Sequence, residues 1–382
     1  MTAPARRTPK VEKLARIYDE EIAPCWGVRF ARLLLRNLAV PERGQVLDVS
    51  CGTGAPTIEI LRRMTEGSRL IAIDESSAML DVVRRKVAAL GPLGKKVFFR
   101  TESAVPRLSF ADEVYDLVVC NLAVGDMPCI ETALRDFARV TKPGGEVRCT
   151  LPLAGTFEEF HDLYREVLVK HDKHDALDRL DAHVARYPSF EQIEHWLGAS
   201  GLTGGLEIDE FSLLFRSARE FFFAPVIEYG PLADWKVVAG GGQDMQDVFW
   251  YIKEAIEAYF GGRPFQLTVK AAVVIGKKPA RAEPAAERSD PGDSFAGETI
   301  TTPVPLSEPE DDSPFDHIET GLPWPPADIA DGSVASADSG DAAIEELASD
   351  EYSLDEESRA ELELDAFIAG RKRPGHLGDR RK

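Results

Sequence analysis

The segment with the clearest chemistry is Val46-Leu47-Asp48-Val49-Ser50-Cys51-Gly52-Thr53-Gly54, an aliphatic run that empties into a glycine turn. Small residues let the backbone approach a ligand closely, and the amides of a helix opened by the turn face a negatively charged group such as a carboxylate. Twenty residues past Gly54 a second aliphatic run ends in Asp74, a carboxylate placed to accept both hydroxyls of a ribose. Turn and acid together read as a site for a nucleoside-containing cofactor.

The neighbouring residues narrow the choice. A dinucleotide site wants a third glycine in G-x-G-x-x-G, where this chain has Gly52-Thr53-Gly54-Ala55-Pro56-Thr57; no Gly-Lys-Ser or Gly-Lys-Thr follows, which excludes a P-loop. Asp48 would repel a pyrophosphate but suits the ammonium of an amino acid. The combination favours S-adenosylmethionine.

These residues need elements that bring them to one place, and the hydrophobic periodicity supplies them. Residues 45–49, 70–73, 96–100, 115–120 and 146–151 read as short buried strands, and 55–64, 77–89 and 130–140 as the helices between. Such alternation implies βαβ units and an α/β doubly wound, mostly parallel sheet, finished by strands at 206–214 and 266–275. An N-terminal helical cap is expected over 1–40, broken near Pro24, followed by the ligand-binding domain over 41–279 with helical insertions at about 154–203 and 216–263.

At these residues the chain resembles the class I S-adenosylmethionine-dependent methyltransferase family. The run through Gly54 looks like its signature, and Leu70-Ile71-Ala72-Ile73-Asp74-Glu75-Ser76-Ser77-Ala78-Met79-Leu80 is similar to its second motif. Tyr115-Asp116-Leu117-Val118-Val119 resembles its fourth strand, and Lys142-Pro143-Gly144-Gly145 the turn before its fifth, in the right order over roughly 18–278. The resemblance implies a Rossmann-like sheet of seven strands. It also implies that Asp48, Gly52 and Gly54, with Ser50 and Thr53 in the same turn, hold the methionine end, Asp74 the ribose and Met79 one face of adenine. Glu102 or Ser103 falls where the family has an acid near the adenine amino group, and Asn121 and Leu122 line the cleft beside the sulfonium. The chain departs from the family at Ser50, where glycine is usual, at Glu75, where an apolar residue usually covers adenine, and in the loop 102–110.

Within the family, Leu151-Pro152-Leu153-Ala154-Gly155-Thr156-Phe157-Glu158-Glu159-Phe160 and Ser217-Ala218-Arg219-Glu220-Phe221-Phe222 look like enzymes acting on small molecules or on acyl groups bound to a carrier protein. Asn121-Leu122-Ala123-Val124 lacks the Pro-Pro-aromatic run usual in enzymes that methylate DNA amino groups. His161, which closely follows the fifth strand, and Asn121 are the candidates for acting on the acceptor. Solvated surface is the commoner use of all five histidines of this region, His161, His171, His174, His183 and His195. The aromatic residues Trp196, Phe221, Phe222, Phe223, Trp235, Trp250 and Tyr251 suggest an apolar enclosed acceptor site or, equally, core.

Composition sets the rest. Of the net charge of −20, residues 281–382 carry −17, with 26 acidic against 9 basic side chains. That acidic tail, from 280 onward, is too polar to fold alone, apart from a possible helix at 342–368. Neither part offers the clustered Lys and Arg that nucleic acid requires. Five cysteines at no metal-ligand spacing read as reduced core thiols, so no metal is expected. With no long apolar run, the chain reads as cytoplasmic and not membrane-bound. The alternative function is a catalytically weak scaffold whose acidic tail binds a protein partner.

Overall fold

The computed structural model describes residues 9–281; the first eight residues and 282–382, with the helix expected at 342–368, lie outside the described residues. The strands are β1 (Gln45–Val49), β2 (Arg69–Asp74), β3 (Val97–Thr101), β4 (Tyr115–Asn121), β5 (Thr141–Pro152), β6 (Thr203–Phe215) and β7 (Phe265–Lys277). They form one sheet in the order β3-β2-β1-β4-β5-β7-β6. The first five pair in parallel and β7 runs antiparallel between β5 and β6. Strand order reverses between β1 and β4, so the crevice past their carboxyl ends is where such a sheet takes a ligand.

Strand alternation puts side chains on both faces, and each face is covered. Val46, Leu70 and Val119 pack with Leu34 of α2 (Gly27–Leu35), Ile60 of α3 (Ala55–Arg63) and Val83 of α4 (Ser77–Ala88). Leu47, Val49 and Val118 pack with Phe137 of α5 (Ile130–Val140) and Ile193 of α8 (Phe190–Ala199). At the N-terminus α1 (Pro9–Ile17) runs into a π-helical turn, Tyr18–Ile22, and the chain then breaks around Pro24 before α2.

The remaining helices build a cap: α6 (Glu158–Lys170), α7 (His174–Val184), α9 (Ala218–Phe223), α10 (Pro225–Glu228), α11 (Leu232–Ala239) and α12 (Gly242–Phe260). Their rings fill its interior. Phe160 and Trp235 lie 4.1 Å apart, Phe221 packs on both, and Phe249 and Phe265 close the cluster. Phe221, Phe222 and Trp235 are therefore core, which decides between the two uses the sequence left open for them.

Arg148 on β5 joins the sheet to the N-terminal helices. Its guanidinium is almost fully buried and donates to the carbonyls of Leu34 (3.2 Å), Arg36 (2.7 Å) and Asn37 (3.2 Å), while Glu146 balances its charge at 2.5 Å. These carbonyls end α2, where no helical amide remains to reach them. Arg148→Met strands several buried acceptors and should lower unfolding free energy by about 3 kcal/mol, read from denaturant midpoints.

Candidate functional site

Two strand ends meet at the glycine turn. The Gly52 amide donates to Asp74 Oδ2 at 2.8 Å, the Ser76 amide donates to Oδ1 at 2.9 Å, and the Cys51 amide donates to the Ile73 carbonyl at 2.9 Å. Asp74 is thus held fixed at the tip of β2 by the turn that follows β1. The turn needs left-handed backbone at alternate positions, with φ +54° at Ser50, +54° at Gly52 and +89° at Gly54. The two glycines serve different ends. A Cβ on Gly54 would lie 2.2 Å from Val83 Cγ2, so this glycine lets α4 pack on the turn. A Cβ on Gly52 would meet nothing nearer than a ring carbon of Tyr18 at 3.9 Å, so this backbone faces open space.

Asp48 lies beneath the turn with no solvent exposure. Its Oδ2 accepts the Thr57 hydroxyl at 2.5 Å, while Oδ1, buried, has no partner among the described residues. Burial pushes its carboxyl up to about 7; the Thr57 hydrogen bond works against this and the charge of Asp74 adds to it. Asp74 is also raised, by burial first, against the pull of the two amides. An unpartnered buried carboxylate oxygen below an open glycine backbone fits a ligand that brings positive charge, such as the amino-acid end of S-adenosylmethionine.

The N-terminal segment covers this turn. Lys86 of α4 pairs with Asp19 and donates to the Thr53 carbonyl at 3.2 Å, tying the π-helical turn to the glycine turn. Tyr18, beside Gly52, has its hydroxyl pushed up to about 12, by burial first and then by Asp74 and Asp126. Met79, half-buried, packs with Ala15, Ala78 and Val82. Glu102 is brought to Asp74 by its backbone, its amide donating to the Asp74 carbonyl at 3.0 Å. Its side chain is held by its own loop, accepting the Ser109 amide at 3.0 Å and meeting Arg100 at 2.5 Å. Ser103 accepts the Val105 amide at 3.3 Å, and Glu75 is exposed.

Asn121 ends β4 with both side-chain groups engaged, Nδ2 donating to the Gly27 carbonyl at 3.1 Å and Oδ1 accepting the Thr150 hydroxyl at 2.9 Å. Leu122, with φ +71°, turns the chain there and lines a cavity of about 410 Å³. Tyr18 lines the same cavity, so one ring borders both the glycine turn and this space. Its walls include Trp26, Phe157 and Val226; its polar side holds Asp126, His183, Arg186, Tyr187 and Asp234. The seven aromatic residues singled out in the sequence are absent from that lining, as is His161.

His161 is buried in α6, its ring 5.8 Å from His183, and burial brings it down to about 3. Two of the histidines expected at a solvated surface, His161 and His183, are therefore interior, because α6 and α7 pack their rings together with Tyr187. Three of the polar cavity residues, His183, Arg186 and Tyr187, fall within five positions of the sequence, but their neighbour Asp234 comes from α11, far along the chain. Among the described residues no group of three His, Cys, Asp or Glu is placed to hold a metal ion, and no helix is long and apolar enough to cross a membrane.

Ser50 carries the one non-glycine left-handed residue in the turn, which costs roughly 1–2 kcal/mol. Ser50→Gly relieves that strain and should raise stability by about 1 kcal/mol, seen as a higher thermal midpoint.

Comparison with known proteins places the turn in a family. Residues 46–145 match the family model described as a methyltransferase domain. A demethylmenaquinone methyltransferase of Halalkalibacterium halodurans is 32% identical over 130 residues, covering 34% of this chain and 52% of the relative. That of Geobacillus stearothermophilus is 29% identical over 137 residues, covering 36% and 57%. The chain thus spans about half the length of the curated relatives it matches. The solved YcgJ protein of Bacillus subtilis superposes with a TM-score of 0.44 at 17% identity, over 66% of this chain and 98% of that one. The match of residues 46–145 to a methyltransferase domain, on a sheet of this order, agrees with the resemblance to the class I S-adenosylmethionine-dependent methyltransferases read from the sequence.

Proposed function

We propose that the protein transfers a methyl group from S-adenosylmethionine to a small-molecule acceptor held in the cavity beside Leu122. One observation carries the reading: the Gly52 amide and Asp74 carboxylate meet at 2.8 Å, and Tyr18 stands between that pair and a cavity of about 410 Å³. The cofactor supplies a sulfonium whose methyl is electrophilic. The protein's part is to bind, orient and keep water out, and alignment of two reactants accounts for roughly 7–11 kcal/mol of barrier.

Each residue has a defined task in this reading. Asp74, fixed by two amides, keeps lone pairs for the ribose hydroxyls. Gly52 and Thr53 line the methionine end above Asp48, and Met79 and Glu102 flank adenine. Asn121 locks the end of β4 to α2, which sets where Leu122 borders the sulfonium. The cavity volume lies in the range of small-molecule sites, and its Trp26, Phe157 and Tyr18 rings suit a planar apolar acceptor. The curated relatives are named for a quinone acceptor, which points the same way. A carrier-bound acyl group remains the second acceptor class to assay.

Titration calorimetry of the full chain should show S-adenosylmethionine binding in the micromolar range usual for enzyme substrates. Asp74→Ala should weaken it at least tenfold, as should Gly52→Val, which fills the open face of the turn. Absence of binding by the wild type overturns the reading and favours a scaffold.

Asp48 adds a pH signature. Its folded value of about 7 lies above the ordinary 3.8, so the folded chain holds a proton that the unfolded chain releases. The stability this confers is full below about 3.8 and is lost as pH rises through about 7. Without ligand, Asp48→Asn should therefore be more stable than wild type at pH 8 and no more stable near pH 4, in urea unfolding at each pH. The same change should weaken S-adenosylmethionine binding.

A further inference from the structure

We propose that His183, steadied by Asp234, is the general base that takes the proton from an ionisable hydroxyl of the acceptor; this rests on the methyl-transfer reading above. His183 comes from the last turn of α7, lines the cavity and is only 8% exposed. Its Nδ1 lies 3.9 Å from Asp234 Oδ2, and its Nε2, buried, has no partner among the described residues. One ring nitrogen thus lies beside a carboxylate and the other is a buried acceptor with no donor among the described residues, the arrangement a base needs once an acceptor hydroxyl reaches it.

The groups packed around the ring set its charge. Asp234 of α11 favours the imidazolium and Arg186 disfavours it; Arg186 is itself held by Asp234 at 2.9 Å. Tyr187 and His161 meet the ring edge-on at centroid distances of 6.2 and 5.8 Å, and Asp126, which feels the charges of Arg186 and Asp234, lines the same cavity. Burial outweighs the rest and lowers the His183 value, so the ring waits neutral and able to accept. The reaction then balances. The acceptor O–H proton passes to Nε2, the oxygen forms its bond to the methyl carbon, and the C–S bond breaks with its electron pair left on sulfur. The imidazolium is stabilised by Asp234 and later returns its proton to solvent. The aromatic walls beside this polar edge define the class of acceptor: a planar ring bearing an acidic hydroxyl.

The probe is 4-nitrophenol, whose phenolate absorbs in the visible, added to full-length protein saturated with S-adenosylhomocysteine. The bound phenolate, paired with the imidazolium that its proton forms, should show its band about one pH unit below where free probe ionises. His183→Gln should abolish that displacement. Asp234→Asn should reduce it, with the bound fraction at each pH fixed by calorimetry for wild type and both variants. Thermal unfolding checks that the variants fold, and two independent variants guard against a local collapse. An unchanged band in either folded variant, or no saturable binding of the probe, overturns the proposal. If S-adenosylhomocysteine itself does not bind, it is the methyl-transfer reading that fails; if it binds and the band is absent, only the assignment of His183 does.

Discussion

A single carboxylate joins the parts of this protein that matter for its chemistry. Asp74, at the end of β2, takes an amide from the turn that ends β1 and another from the start of α4. That bond network needs β1 and β2 side by side in parallel, which the register Val49 to Ile73 provides. It also needs a backbone free to adopt left-handed conformations at alternate positions. The hydrophobic pairing of two strands thus fixes the geometry of a polar site that has little apolar surface of its own.

The site is electrically unsettled without a ligand. Asp48 and Asp74 are both buried, both pushed toward the neutral form, and near enough for one to raise the other. Structures tolerate such a conflict where function needs it, and a ligand carrying positive charge resolves it. The stability lost in this corner is recovered elsewhere, in the aliphatic packing of both sheet faces and the aromatic interior of the cap.

The strand pattern was legible because strands buried on two faces are written as continuous aliphatic runs. Residues 45–49 and 130–140 match β1 and α5 at both ends, and the other strands differ by a few residues. Gly52, Gly54 and Asp74 were legible because short-range turn chemistry and strand ends determine them. The cavity beside Leu122 was not. Tyr18 reads in sequence as one more apolar position of a helix, and its place over Gly52 follows from how α1 and its π-helical turn lie on α4. His183 and Asp234 are brought together by the packing of α7 on α11, which no local spacing announces. The aromatic cap residues stayed open between core and acceptor site for the same reason: a ring inside a helix bundle and a ring facing a ligand have the same periodicity.

The separation of Phe160, Phe221 and Trp235 from the cavity wall has a further consequence. Phe157 alone of the cavity rings packs on Trp235, whereas Tyr187 and Tyr229 stand on the connecting segments Tyr187-Pro188 and Tyr229-Gly230-Pro231. Variation in those segments reshapes the chamber while the bundle keeps its interlocked rings. Selection can therefore retune which molecules the protein accepts, generation by generation, without each trial endangering the scaffold.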